Sequence, residues 1–119
     1  MSWNQIVGRR REVLTREWLM NKGFILINQN WQCCHGELDI IASCFDQLYF
    51  IVVGIKAYGE GGASIQFLTR RRMQSCIEAA QKYLLRHPEW RDATFSLLTI
   101  SVSKEKTTEF IFLKEVIKP

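Results

Sequence analysis

Gly36-Glu37-Leu38-Asp39-Ile40-Ile41-Ala42 and, after a short turn, Leu48-Tyr49-Phe50-Ile51-Val52-Val53-Gly54-Ile55-Lys56 decide how this chain folds. The first stretch alternates charged and apolar residues, as a half-exposed strand does. The second is almost continuously apolar, too apolar for an edge, and reads as a strand in the middle of a sheet covered on both faces. Residues two apart on a strand share a face, which puts Glu37 with Asp39 and Gly54 with Lys56.

Working outward, Phe24 to Gln32 is rich in Ile and Leu and reads as a preceding strand. Turn residues at His35-Gly36 and Asp46-Gln47 separate the three strands, which predicts an antiparallel meander. Upstream, Ile6, Val7, Leu14 and Trp18 recur at helical spacing. They predict a helix from Trp3 or Gly8 to Asn21, with Gly23 as the left-handed residue past its end. Downstream, Tyr58-Gly59-Glu60-Gly61-Gly62-Ala63 reads as a loop. A second helix is expected from a Thr69 cap to about Arg86, burying Met73, Cys76, Ile77, Ala80, Tyr83 and Leu84, and ended by His87-Pro88. Phe95 to Val102 is another strand, Lys104-Glu105-Lys106 a turn, and Glu109 to Leu113 a short return strand. The strand–helix–strand connection should be a right-handed crossover. The expected class is α/β, a three-layer α/β/α domain with a mixed four- to five-stranded sheet flanked by helices.

A length of 119 residues suits one domain spanning 1–119. The formal net charge of +4 is compatible with a polyanionic partner. No stretch approaches the length of a membrane span, so no membrane partner is expected. Met1 to Ile6 lacks a charged start, an apolar segment and a cleavage site, so no secretory leader is expected either. A cytoplasmic, reducing setting follows, with Cys33, Cys34, Cys44 and Cys76 as thiols. Cys33-Cys34-His35 has no companion CxxC or HxxxH pair, so a zinc site is set aside.

An acid before a turn, then a strand ending in an apolar residue and lysine, is the layout of a Mg²⁺-dependent phosphodiesterase site. That layout carries a second acid two residues before the lysine, and here the position is Gly54. Plainer readings stand beside it. Glu37 and Asp39 also suit the wet face of a strand, and Lys56 a solubilising strand end. Arg9-Arg10-Arg11 and Arg70-Arg71-Arg72 suit solvated helix faces, although both lie near helix starts, where anions are favoured. Trp3, Trp18, Trp31 and Trp90 read as core or rim packing.

Several segments together resemble a known family. They are Gly8-Arg9-Arg10-Arg11-Glu12, Trp18-Leu19 with Lys22-Gly23-Phe24, Asn30-Trp31, Gly36 to Ala42, the strand ending at Lys56, and Ala79-Ala80-Gln81-Lys82-Tyr83-Leu84. The chain resembles the YraN-like family of small uncharacterised bacterial proteins, within the PD-(D/E)xK (restriction-endonuclease-like, Holliday-junction-resolvase-like) nuclease superfamily. The resemblance runs from about Gly8 to Val102. It implies a restriction-endonuclease-like core with Mg²⁺ as cofactor. Asp39 matches the first metal-binding acid. Lys56 matches the lysine that orients the attacking water or stabilises phosphate charge. Glu12 matches a helix glutamate that reaches the metal in resolvase-like members. Gly54 stands where the family has the glutamate of its Glu-Val-Lys motif. Further departures are Tyr58 for an arginine, Ser96 for an aspartate and Arg11 for a glycine.

Losing one of two carboxylates should cost at least the roughly 10–100-fold seen for outer-shell changes at metal sites. Glu37, Glu12 and Glu60 are the candidate replacements, with Glu37 the nearest to Asp39 in sequence. Three functions remain open. The first is a nuclease-derived domain that binds DNA or RNA without sequence preference through Arg9, Arg10, Arg70 and Arg71, with impaired catalysis. The second is an active Mg²⁺-dependent endonuclease with a relocated acid. The third is a non-catalytic protein-interaction domain. Resolvase-like relatives often act as dimers, so a homodimer is admitted, though no dimer seam is legible.

Overall fold

The apolar run after the turn becomes the central strand, and the rest of the fold is arranged on its two faces. The computed structural model describes residues 3–33, 36–56, 70–102 and 108–117, and within these the side-chain surroundings of all but 3–11, 55–56, 102, 108 and 114–117. In chain order the elements are α1 (Trp3–Asn21), β1 (Ile25–Cys33), β2 (Gly36–Cys44), β3 (Gln47–Lys56), α2 (Arg70–Arg86), β4 (Ala93–Val102) and β5 (Thr108–Ile117). The described strands form one five-stranded sheet in the order β1-β2-β3-β4-β5. β1, β2 and β3 are the expected antiparallel meander. β3 and β4 run parallel across the α2 connection, and β5 returns antiparallel to β4.

Alternation along β3 divides the core in two. Leu48, Phe50 and Val52 face α2 and pack with Cys76, Ala79, Ala80, Tyr83, Phe95 and Leu97. Tyr49 and Ile51 face the other way, onto Leu19 of α1 with Phe24, Leu98 and the half-buried Trp18, Phe110 and Phe112. A sheet strand buried on both faces has no need of polar alternation, which is why β3 is apolar without a break from Leu48 to Val53. The result is the expected α/β architecture, a mixed sheet with a helix on each face.

Several boundaries move. β4 starts at Ala93 rather than Phe95, and β5 extends to Ile117 rather than stopping at Leu113. Phe110 of β5 stacks on Trp18 at 5.3 Å between centroids, so the last strand is held by the α1-side core. Trp31 meets Tyr83 edge-on at 5.4 Å, and Trp90 packs on the α2-side core. The β2–β3 turn sits at Phe45-Asp46, one residue earlier than the predicted Asp46-Gln47. Both of its residues have positive φ, 49° and 64°, as a two-residue hairpin turn matching the strand twist requires. On α2, Ala79 joins the buried stripe, while Met73, Ile77 and Leu84 are only partly covered. The Thr69 cap, the 58–63 loop and the turn at 104–106 lie outside the described residues.

Two glycines shape the approach of the helices. Gly23 (φ 96°) ends α1: its N–H donates to the Met20 carbonyl at 3.1 Å, and the Phe24 N–H donates to the Leu19 carbonyl at 3.0 Å. This doubly bonded left-handed cap turns Phe24 into the core. Gly36, at the start of β2, lies under α2. A Cβ there would sit 2.5 Å from the Ser75 carbonyl oxygen and 2.9 Å from the Ala79 Cβ. The missing side chain lets helix and strand backbones come together. No helix among the described residues is long and apolar enough to cross a membrane.

Gly36→Ala should therefore force α2 off the sheet and destabilise the fold by about 1–3 kcal/mol, the usual cost of overpacking. Urea denaturation measures this directly, and an unchanged midpoint would refute the close approach.

Candidate functional site

The β2–β3 ladder runs from Cys44↔Gln47 to Ile40↔Ile51, and no further pair is registered among the described residues. Yet β2 continues back to Gly36 and β3 forward to Lys56. The two strands therefore part at the end where Asp39, Gly54 and Lys56 lie. An antiparallel rung lost from a sheet leaves an N–H and a C=O to be paired otherwise. Here side chains do it. The Val53 N–H donates to Asp39 Oδ2 at 2.8 Å, and Arg72 Nη2 of α2 donates to the Val53 carbonyl at 3.2 Å. Arg72 Nη2 also donates to Asp39 Oδ2 at 2.8 Å, closing the set as an ion pair.

The reason for the parting lies in a local break of alternation. Leu38 and Ile40 are two apart, but Leu38 belongs to the α2-side core and Ile40 to the α1-side core. Opposite Asp39, between the registered pairs Gln29↔Ile40 and Trp31↔Leu38, stands Asn30 with φ 52°. Asparagine tolerates this left-handed conformation better than most residues. The kink swaps the faces of the residues beyond it and frees Asp39 to lean along the sheet toward Val53.

The structure brings some predicted residues together and leaves others apart. Asp39 is at the parting, with its side chain about a quarter exposed (26 %). Gly54 is buried, and by alternation from Val52 it faces α2. Across the parallel register it stands opposite Thr99 of β4. The Thr99 Oγ1 is buried, and no hydrogen-bond partner is found for it among the described residues. Lys56 is the last residue of β3, two positions past Gly54 on a strand adjacent and antiparallel to that of Asp39; its side-chain surroundings lie outside the described residues. Glu37 is exposed on β2, and its carbonyl, rather than its carboxylate, meets α2 by accepting from the Cys76 thiol at 3.5 Å. Glu12 is exposed on α1, the helix on the other face of the sheet from α2. Arg70 and Arg71 are exposed in the first turn of α2, beside Arg72. The side chains of Arg9 and Arg10, and residues Tyr58 and Glu60, lie outside the described residues. Ser96 is buried on β4.

Arg72 was legible only as part of an arginine run. Its spacing carries the missed signal: Arg72, Cys76, Ala79 or Ala80 and Tyr83 recur at helical intervals, so a guanidinium opens the buried stripe of α2.

A Mg²⁺-type ion wants near-octahedral oxygen ligands, commonly one or two carboxylates with water and substrate phosphate. The described residues do not fit it. Asp39 Oδ2 already accepts from two N–H groups, Gly54 has no carboxylate, and Glu37 is turned to solvent. No group of three or more His, Cys, Asp or Glu that could hold a metal occurs among the described residues. The neighbouring thiol registers the local charges. Burial, and then the Asp39 carboxylate, push Cys76 up to about 11, with Arg72 opposing and Glu37 adding to the rise.

Comparison with known proteins gives a consistent family. Residues 11–103 match the uncharacterised protein family UPF0102. A UPF0102 protein of Stutzerimonas stutzeri (strain A1501) is 33% identical over 90 residues, covering 76% of this chain and 75% of the relative. One from Chlorobium limicola is 31% identical over 108 residues, covering 87% and 84%. One from Ectopseudomonas mendocina is 27% identical over 114 residues, covering 96% of both chains.

Two outcomes follow from the geometry. Asp39→Ala removes the acceptor of the Val53 N–H and should cost about 1 kcal/mol in urea denaturation, while Asp39→Asn, which keeps an acceptor oxygen, should cost less. Equal losses would show that the backbone bond contributes nothing. The Cys76 thiol, raised above its ordinary 9.0, stays protonated through neutral pH. Its contribution to stability is complete below pH 9 and is lost as pH rises through about 11. Wild type should therefore lose more stability than Cys76→Ala over that range; parallel curves would contradict it.

Proposed function

The chain belongs to the UPF0102 family, and we propose that it is a nucleic-acid-binding domain on the scaffold of a metal-dependent endonuclease, impaired in catalysis by the glycine at 54. The observation that carries this reading is the end of the sheet where β2 and β3 part. Asp39 stands at the parting, and β3 runs on to Gly54 and Lys56, the spacing of a phosphodiesterase site with its second acid removed. Open α/β sheets offer their crevices at the carboxyl ends of strands, where connectivity changes direction. β3 is such a strand, antiparallel to β2 on one side and parallel to β4 on the other.

The electrostatics favour a polyanion. The first turn of α2 contains no acidic residue and presents Arg70 and Arg71 to solvent. A helix start with its unpaired N–H groups already favours phosphate, and two guanidinium groups add to it. Arg72, in the same turn, reaches Asp39, so this arginine-bearing helix turn adjoins the parted strands. The net charge of +4 acts in the same direction. Binding through phosphates reads no bases, so DNA or RNA would be held with little sequence preference.

Gel-shift titrations of unrelated duplex and single-stranded sequences at two salt concentrations, with and without Mg²⁺ or Mn²⁺, test the reading. Affinity should be similar across sequences and fall steeply with salt. Replacing Arg9, Arg10, Arg70 and Arg71 with alanine should weaken every complex alike, and flatten the log–log salt slope by about 0.9 for each duplex phosphate no longer neutralised. An unchanged slope in that variant would reject the surface. Metal-dependent cleavage by wild type would instead favour an active endonuclease, with Glu37 and Glu60 as the acids to test.

A further inference from the structure

We propose that Arg72 is the resident cation of this site, standing beside Asp39 where a nuclease of this layout would hold its divalent ion. The inference rests on the reading of the parted strands as a former phosphodiesterase site, and adds to it how the site is kept neutral without metal.

Three observations converge on Arg72. Its Nη2 donates both to Asp39 Oδ2 at 2.8 Å and to the Val53 carbonyl at 3.2 Å, one carboxylate oxygen and one backbone oxygen at a strand end. These are the oxygen types a hard divalent ion selects. The guanidinium is also seated by the fold rather than extended from the surface. It opens the buried stripe of α2, one turn before Cys76, and Gly36 admits that helix to within backbone contact of β2. The third observation is the composition around position 54. The second acid is replaced by a buried glycine, and one strand over, about 4.8 Å away in any sheet, the Thr99 hydroxyl is buried without a hydrogen-bond partner among the described residues. Alternation from Val52 and Leu97 puts both positions on the α2 face. An orphaned hydroxyl beside a glycine is what a lost carboxylate would leave behind.

The charge count agrees. A divalent ion between two carboxylates is neutral overall; removing one carboxylate leaves a single negative charge, and a single guanidinium matches it. Restoring the acid alone therefore leaves a competing cation in place.

The test is a Mn²⁺ titration, by calorimetry, of the protein alone, without nucleic acid. It compares wild type, Asp39→Ala, Gly54→Glu, Gly54→Glu/Arg72→Gln, and the latter with Asp39→Ala. Glutamine at 72 removes the charge while keeping a polar side chain, and Arg72→Ala serves as a second uncharged variant. Circular dichroism melts confirm that each protein is folded. Wild type and Asp39→Ala should be indistinguishable, and Gly54→Glu alone should gain little. Gly54→Glu/Arg72→Gln should bind Mn²⁺ at least about tenfold tighter than Gly54→Glu, a gain abolished by Asp39→Ala. Asp39-dependent Mn²⁺ binding by wild type would overturn the proposal. So would equal affinity of Gly54→Glu with and without Arg72, or no gain in any folded double variant. None of these results depends on nucleic-acid binding, which the gel shifts judge separately.

Discussion

Val53 is the residue on which the site depends. Its N–H and C=O point into a gap where β2 has already left β3, and buried backbone groups must find partners. Asp39 accepts from the one and Arg72 donates to the other, while the two side chains pair with each other. A rung of the sheet is thereby replaced by a carboxylate and a guanidinium. The arrangement joins three elements, β2, β3 and the first turn of α2, at one atom cluster. Surface ion pairs alone contribute little. This one matters because each partner also satisfies a backbone group that the parted strands leave open.

The close seating of α2 makes the cluster reachable. Small residues line the contact: Gly36 on the strand, Cys76, Ala79 and Ala80 on the helix. Larger side chains would hold the helix further out and take Arg72 away from Asp39. The Cys76 thiol, buried one turn along and donating to the Glu37 carbonyl, feels both members of the pair. On the far face α1 is anchored separately, through Leu19 and the aromatic contacts of Trp18 with Phe110 and Phe112. The two cores share β3 but present different chemistry to solvent. The arginine-bearing helix start lies at the parted strands, and Glu12 lies on the helix across the sheet.

Much of the fold was legible because it follows from period and punctuation. The unbroken apolarity of Leu48 to Val53 announced a central strand, Gly23 announced the end of α1, and the spacing of Cys76, Ala80 and Tyr83 announced the inner face of α2. Element ends were less legible. β5 runs past Leu113, and the hairpin turn falls at Phe45-Asp46, where an exposed phenylalanine gives no turn signal. Within the site, Asp39, Gly54 and Lys56 could be picked out as residue types at a spacing. Arg72 could not, since an arginine among three looks like a solvated face until the helix is docked.

By itself the sequence determined which residues form helices and strands, which strand is central, that an acid and a lysine stand on neighbouring strands, and that a glycine stands two residues before the lysine. These are properties of neighbours along the chain, carried by side-chain period and by glycine. Tertiary structure alone decided that Asn30 takes a left-handed conformation opposite Asp39, that the β2–β3 ladder stops there, and that Arg72 bridges Asp39 and Val53. Those outcomes depend on the depth to which α2 settles on the sheet and on which backbone groups the parted strands leave unpaired. Both quantities are set by contacts between residues far apart in sequence, as in the pairing of Asp39 with Arg72, and no local pattern encodes them.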